Sequence, residues 1–209
     1  MLPPLPPITQ GLILLNVAIY CLQLFIGPAF TGLFALWPIG TNFLPFQVVT
    51  YAFLHGSWSH LFFNMLGLWM FGGEQELRNG PRRYLHLIAA SVLAAALAQL
   101  IIAPLLGIQA PVLGASGIVF GMLMAFAMSD PNRVVMLLIP PIPMKARTMA
   151  IVFGALELYV LLPPFVPGVS VLNYVLGNAA HLAHLGGMLG AFLMFRYWRR
   201  QAPFGRRRR

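Results

Sequence analysis

Residues 114–129 read GASGIVFGMLMAFAMS, a run of small residues around one serine followed by a largely apolar stretch. This stretch predicts a helix of about 14 residues, from Ser116 to Ser129, which at 1.5 Å per residue is roughly 21 Å long. Such a helix is shorter than the ~30 Å hydrocarbon core of a bilayer. If its far end near Asp130 lies at one membrane surface, Ser116 lies inside the membrane at a helix N-terminus. Free backbone N–H groups and the positive end of the helix dipole favour an anionic intermediate there.

The composition of the whole chain is that of an integral membrane protein. Of its 209 residues, 59% are apolar and 8% are charged, against roughly 45–50% and about 25% in soluble domains. Because an open strand in lipid leaves backbone groups unpaired, we expect an all-α membrane protein. It is predicted to be a single domain over residues 1–209, with a short tail at 1–9 and a basic tail at 200–209. The six predicted transmembrane helices lie at about Ile8 to Phe30, Trp58 to Gly73, Arg83 to Ala103, Ser116 to Ser129, Thr148 to Leu162 and Asn178 to Trp198.

Lysine and arginine occur only at three helix ends, those of the second, fourth and sixth apolar runs. These residues collect in cytoplasmic loops, so both termini are predicted to be cytoplasmic. The segments 28–57, 104–115 and 163–177 carry no Lys, Arg, Asp or Glu and are predicted to face outward. The net charge of +9 is therefore assigned to topology and to contact with an anionic lipid bilayer. Because the basic residues are divided among three ends, we expect no nucleic-acid partner.

The sixth run carries a pair of histidines, His181 and His184, one helical turn apart. Ionisable groups inside membrane spans are rare and are usually functional. Small residues follow His184 at Gly187 and Ala191, a spacing that allows two helices to approach closely. The face with His184 could then pack on the small-residue face of the fourth helix, which would bring the imidazole within about 2.6–3.2 Å of the Ser116 hydroxyl. The alternative is that the small residues of both runs serve helix packing alone.

Neither a third catalytic group nor a metal site is expected from the sequence. The single aspartate, Asp130, lies about 21 Å along the helix from Ser116, so the prediction is a Ser-His dyad without an orienting carboxylate. Glu157 in the fifth run is interpreted as a protonated or hydrogen-bonded structural group, with a buried proton carrier as the alternative. The two histidines without a nearby carboxylate or cysteine form a weak ligand set, so we predict no metal and no cofactor.

The second run supplies two hydrogen-bond donors, His60 and Asn64, at positions i and i+4 of one helix. Together with the backbone N–H of Ser116 they could surround a developing negative charge, as in an oxyanion hole. The alternative is that they form hydrogen bonds between helices and nothing more.

Taken together, the His-x-x-x-Asn of His60 and Asn64, the Gly-x-Ser-Gly of 114–117 and the Ala-His-x-Gly-Gly of 183–187 resemble the motifs of the rhomboid intramembrane serine proteases, in their compact six-helix bacterial form. The resemblance implies that Ser116 is the nucleophile and His184 the base. It also implies that His60, Asn64 and the Ser116 backbone N–H form the oxyanion hole. The residues expected to support this site are Gly114, Ala115, Gly117, Phe120 and Gly187.

Three positions, in two parts of the chain, depart from the family pattern. Phe120 stands where the family often has a tyrosine that stacks on the catalytic imidazole, so the ring is retained and the hydroxyl is lost. The segment Phe30 to Ser57 is similar to the family's outer loop, but Phe46 and Gln47 stand where many members have Trp-Arg. His181 does not match the family's histidine and is interpreted as a neighbour that lines the cavity.

The resemblance implies proteolysis of transmembrane protein substrates through an acyl-enzyme, in a multi-pass protein of the bacterial inner membrane. A substrate segment is expected to reach the site between the second and fifth spans and to unwind there, because an intact helix hides its amides. Two other classes stay open: a catalytically inactive relative that binds membrane clients, and a small transporter. The transporter would use Glu157, His60 and the histidine pair as a proton path.

Overall fold

Helices form most of the computed structural model, which describes residues 5–136, 141–162, 166–169 and 180–201. Each of the six apolar runs is mostly helical where it is described, and the helix of the fifth run ends at Tyr159 instead of Leu162. The helices are α1 (Pro7–Ile26), α2 (Pro28–Phe34), α3 (Gln47–Thr50), α4 (Trp58–Gly67), α5 (Gly73–Asn79), α6 (Pro81–Leu105), α7 (Ser116–Ser129), α8 (Ala146–Tyr159) and α9 (His181–Gln201). A 3-10 turn at Tyr51–Phe53 follows α3, and a π-helical segment at Leu68–Gly72 joins α4 to α5.

Parts of three predictions lie outside the described residues. They are residues 1–4 and 202–209 of the two tails, residues 163–165 and 170–177 of the last outward segment, and the start of the sixth helix at Asn178.

Two glycine-proline pairs divide the chain into separate helices. Gly27 has φ 93° and Gly80 has φ 78°, values that favour glycine, and a proline begins the next helix in each case. The first predicted helix therefore ends at Ile26 instead of Phe30, and α2 belongs to the outer loop. By contrast, the predicted bounds of α7 are confirmed at both ends.

The expectation of a purely helical protein is wrong at one place. Strand β1 (Val134–Met136) pairs antiparallel with β2 (Pro143–Lys145), and Val134 lies opposite Lys145. The rule against strands applies to backbone exposed to lipid. This hairpin lies in the basic, proline-rich connection after α7, which the sequence itself predicts to be outside the membrane.

Helix length alone supports two membrane spans. Within the described residues, α1 and α6 are each long and apolar enough to cross a bilayer, while α7 is a shorter apolar helix of 14 residues. The count of six spans therefore stays a prediction.

Helices α6, α7 and α9 pack against one another through small residues. A Cβ added at Gly187 would overlap the carbonyl of Gly117, and one added at Gly190 would overlap the carbonyl of Ala90. At Gly121 the added atom would overlap the Ser91 hydroxyl. The predicted close approach of the helices that carry Ser116 and His184 is confirmed, and it depends on the absence of side chains at these contacts.

The basic residues meet at one end of the helix bundle. Arg78, in the last turn of α5, donates to the carbonyl of Ser129 at 2.9 Å, and Arg199 of α9 donates to the carbonyl of Met128 at 2.8 Å. Arg133 pairs with Glu74 at 2.7 Å. The ends of α5, α7 and α9 are thus adjacent, and the start of α7 lies toward the opposite end.

A buried carboxylate holds the start of α1. Glu76 accepts hydrogen bonds from the backbone N–H groups of Ile8 (2.9 Å) and Thr9 (2.7 Å) and from the Thr9 hydroxyl (2.8 Å). The first N–H groups of a helix have no acceptor within the helix, and an anion is stabilised there. Glu76 therefore ties α1 to α5, far along the chain.

Candidate active site

The turn before α7 places Ser116. Gly114 has φ 128° and donates its N–H to the carbonyl of Tyr51 at 2.9 Å. A Cβ at Gly114 would come within 2.7 Å of the Cε1 and Nε2 atoms of His60, so a glycine is needed where this imidazole meets the turn. Two backbone hydrogen bonds between Leu36 and Val112, both 2.9 Å, fasten the preceding residues to the outer loop. Ser116 then begins α7, where its N–H has no acceptor within the helix.

Ser116 and His184 are in hydrogen-bond contact. The serine Oγ lies 2.7 Å from the Nε2 of His184, and the histidine is 8% exposed. The Phe120 ring stacks on the imidazole with 4.3 Å between ring centroids and 5° between the planes. The structure therefore brings together the two residues that the sequence proposes as nucleophile and base, and it places a flat ring against the imidazole.

A carboxylate lies beside this pair, contrary to the prediction from the sequence. One oxygen of Glu157 is 3.0 Å from the Nδ1 of His184, an ion-pair contact that is off the line of a straight hydrogen bond. The other oxygen is 2.6 Å from the Nδ1 of His181. The expectation that no carboxylate lies near the pair is wrong, because helix α8 brings Glu157 to the site from a distant part of the chain. The catalytic use of a Ser-His dyad stays a prediction. The sequence does carry a signal for this contact. A single carboxylate in an apolar helix needs a partner, and the two histidines of the sixth run are the available ones.

The same three side chains form a possible metal site. The ligand atoms of Glu157, His181 and His184 lie within 4.8 Å of one another, so the argument that no carboxylate stands near the histidines is wrong. Nitrogen and carboxylate ligands suit Zn²⁺. A metal bound through the Nδ1 of His184 would leave the hydrogen of the neutral ring on Nε2, which then could not accept a proton from Ser116. Metal binding there and serine chemistry therefore exclude each other.

Helix α4 presents His60 and Asn64 to the serine. The Ser57 hydroxyl caps this helix by accepting from the N–H of His60 at 3.1 Å. The N–H of Gly56 donates to the Nδ1 of His60 at 3.3 Å, so the hydrogen of the neutral ring is on Nε2, the atom that faces the Gly114 turn. Asn64 is 4% exposed, and its Nδ2 has no hydrogen-bond partner among the described residues. Both side chains can donate to a negatively charged oxygen.

These groups line one cavity of about 850 Å³, whose walls include Ser57, Ser59, His60, Asn64, Ser116 and His184. The hydroxyls of Ser57 and Ser59 are exposed and lie 3.0 Å apart, which provides polar surface at its rim. His55, two residues before Ser57, is by contrast buried at 2% exposure. Burial, followed by the nearby charge of His60, lowers the pKa of His55 to about 4.

Gln47 anchors the outer loop. Its side chain is fully buried, and its amide nitrogen donates to the carbonyls of Leu33 (3.0 Å) and Asn42 (3.1 Å). Its amide oxygen accepts from the N–H of Trp37 at 3.2 Å. One neutral side chain thus joins three parts of the loop.

Comparison with known proteins shows which proteins the chain is similar to. The family model described as Rhomboid domain matches residues 42–201. Rhomboid protein 1, mitochondrial, of Saccharomyces cerevisiae is 35% identical over 99 residues, which cover 46% of this chain and 29% of the relative. Rhomboid protease GlpG of Yersinia pestis (strain Pestoides F) is 34% identical over 87 residues, which cover 41% of this chain and 31% of the relative. The chain thus aligns with about three tenths of the length of these curated relatives.

Proposed function

The chain belongs to the rhomboid family, and we propose that it is an intramembrane serine endopeptidase that cleaves transmembrane segments of membrane proteins. The observation that carries this proposal is the 2.7 Å contact between the Ser116 hydroxyl and the Nε2 of His184. It lies in a cavity that also contains two donors, on His60 and Asn64, and the Asn64 Nδ2 has no partner among the described residues. Relatives of similar sequence are named as proteases.

The proposed setting is a membrane crossed by all six main helices, with both termini in the cytoplasm of a bacterial cell. The cluster of arginines at the ends of α5, α7 and α9 supports this topology, because cytoplasmic ends collect basic residues. The reactive serine then lies toward the outer face, below the membrane surface.

In the proposed reaction, the Ser116 Oγ attacks the carbonyl carbon of a substrate peptide bond while the Nε2 of His184 accepts its proton. The resulting oxyanion accepts hydrogen bonds from the Nε2–H of His60, the Nδ2–H of Asn64 and the backbone N–H of Ser116. His184 then returns the proton to the leaving amine, which leaves an acyl-enzyme on Ser116. Water, deprotonated by His184, attacks the ester and frees the serine.

Stabilisation of the oxyanion is the largest contribution that this geometry can supply. Removal of one such donor costs roughly 2.7–4 kcal/mol in a well-studied serine protease. The Asn64 Nδ2 is buried without a partner in the described part of the chain, so this donor group is already desolvated before the substrate binds. Little reorganisation is then needed during the reaction.

The substrate is proposed to reach the cavity from the bilayer, between α4 and α8. Phe63 lines the cavity, and both Phe62 and Phe63 are more than half exposed on α4. Such an apolar face suits a transmembrane segment better than a soluble peptide. Segments that contain glycine or other helix-weakening residues should be cleaved best, because their carbonyls become exposed at lower cost.

A fluorophosphonate probe tests the proposal directly on the detergent-solubilised protein. The native protein should be labelled, and both Ser116→Ala and His184→Ala should abolish labelling and cleavage of a transmembrane peptide. Ser59→Ala is the matched control, since this serine lines the same cavity without contacting His184. Labelling that survives Ser116→Ala would refute the assignment, and a native protein that binds transmembrane peptides without labelling would be an inactive relative.

His181→Ala distinguishes the two histidines. Its Nδ1 faces Glu157 and not Ser116, so labelling and cleavage should persist at a reduced rate. Complete loss, with the protein still folded, would make His181 the base.

A further inference from the structure

We propose that Glu157 is a positioning residue that fixes the orientation and tautomer of His184, so that the reaction uses a Ser116–His184–Glu157 triad in place of a dyad. This role rests on the proposed function and adds a third group to it. Glu157 does not contact the substrate and acts only through the imidazole.

Both oxygens of the Glu157 carboxylate are occupied by histidines. One oxygen is 3.0 Å from the Nδ1 of His184, and the other is 2.6 Å from the Nδ1 of His181. The glutamate is 7% exposed and both histidines are 8% exposed. The short contact to His181 holds the carboxylate from one side, so its free edge faces His184. The contact to His184 is not aligned as a hydrogen bond in this structure, and catalytic hydrogen bonds are commonly long or poorly aligned until a substrate is bound.

The position of the carboxylate selects one tautomer of His184. A carboxylate accepts hydrogen bonds and has none to donate, so it stabilises the hydrogen on Nδ1. The lone pair is then on Nε2, which lies 2.7 Å from the Ser116 hydroxyl. This is the form of the ring that can accept the serine proton. The negative charge also stabilises the imidazolium that forms when the proton has been transferred.

Phe120 fixes only part of the orientation of the His184 ring, and Glu157 can fix the rest. The phenyl ring stacks on the imidazole at 5° and so fixes the plane of the ring. Stacking does not prevent the imidazole from rotating within its own plane. A phenyl ring also has no hydroxyl that could hydrogen-bond to another group and restrict this rotation. Of the contacts that the structure describes at the Nδ1 edge, Glu157 is the one that can set this rotation.

Glu157→Gln tests the triad. Glutamine keeps the size of the side chain but has one carbonyl oxygen, so either His181 or His184 faces the amide NH₂ group. When His184 accepts from that group, its hydrogen moves to Nε2 and it no longer serves as a base. With a quenched fluorescent transmembrane peptide, kcat should fall roughly 10²–10⁴-fold while KM changes little, as when the aspartate of a protease triad becomes asparagine.

Glu76→Gln is the matched control, because Glu76 is a buried carboxylate with three hydrogen bonds remote from the cavity. It should lower thermal stability and leave kcat unchanged per folded molecule.

Tautomer-sensitive NMR of isotopically labelled histidine tests the native protein even if Glu157→Gln does not fold. Hydrogen on the Nδ1 of His184 supports the triad, and hydrogen on Nε2 overturns it. A folded Glu157→Gln enzyme whose His184 carries its hydrogen on Nε2 but whose kcat is unchanged also overturns it. If Ser116→Ala is inactive in that case, the proposed function stands without the triad; if Ser116→Ala stays active, the function itself is wrong.

Discussion

Gly114→Ala should remove most of the proteolytic activity, although it leaves Ser116, His184, His60 and Asn64 unchanged. The added Cβ would lie 2.7 Å from the Nε2 of His60, whereas ordinary contacts begin at 3.4 Å. His60 would therefore have to retreat by about 0.7 Å, the difference between these distances. A hydrogen bond of ~3.0 Å to the oxyanion would lengthen to ~3.7 Å and be lost. Loss of one such donor corresponds to a kcat roughly 10²–10³-fold lower.

The control for this variant is Gly107→Ala. Gly107 also has a positive φ, 73°, but a Cβ there meets no atom within 4 Å. Both substitutions should cost about 1–3 kcal/mol of stability through backbone strain, and only Gly114→Ala should displace His60. Cleavage of the fluorescent transmembrane peptide gives kcat, and thermal unfolding in detergent gives stability. Equal kcat values for the two variants would refute the assignment of His60 to the oxyanion.

Three further predictions concern stability, pH and metals. Glu76→Ala should lower the free energy of unfolding by ~2–4 kcal/mol, because the backbone N–H groups at the start of α1 lose their hydrogen-bond acceptor. An unchanged denaturation midpoint would contradict this. The pKa of His55 is near 4 in the folded protein and about 6.5 when unfolded. Between these two pH values the unfolded chain therefore binds more protons than the folded protein, so the free energy of unfolding should fall by up to about 3 kcal/mol as the pH drops from 6.5 to 4. His55→Gln should make the free energy of unfolding less dependent on pH. Equal pH dependence in the native protein and this variant would contradict the role of His55. Cleavage should withstand a chelator and be inhibited by Zn²⁺ bound at Glu157, His181 and His184. His181→Ala should weaken that inhibition at least ~10-fold, and equal sensitivity would place the zinc elsewhere.

The sequence predicts the helices and the reacting pair because the apolar runs and small-residue spacings that indicate them are each local patterns. The bounds of α7 and the packing of His184 on Ser116 follow from apolar length and small-residue spacing. The position of Glu157 does not, because it depends on how α8 is rotated against α9, which the sequence of either helix does not specify. The break at Gly27 and the hairpin at Val134–Met136 were missed for a different reason, since both lie where the apolar pattern ends.

The glycine contact between α7 and α9 has a consequence for tolerance to temperature and lipid. Gly187 meets the Gly117 carbonyl with no side chain between them, so rigid peptide groups set the spacing of the two helices. Side chains that change rotamer on warming, or acyl chains of another length, have nothing to adjust at this contact. The distance between the Ser116 hydroxyl and the His184 imidazole should therefore be set by the main chain. It should stay nearly constant in membranes of different thickness.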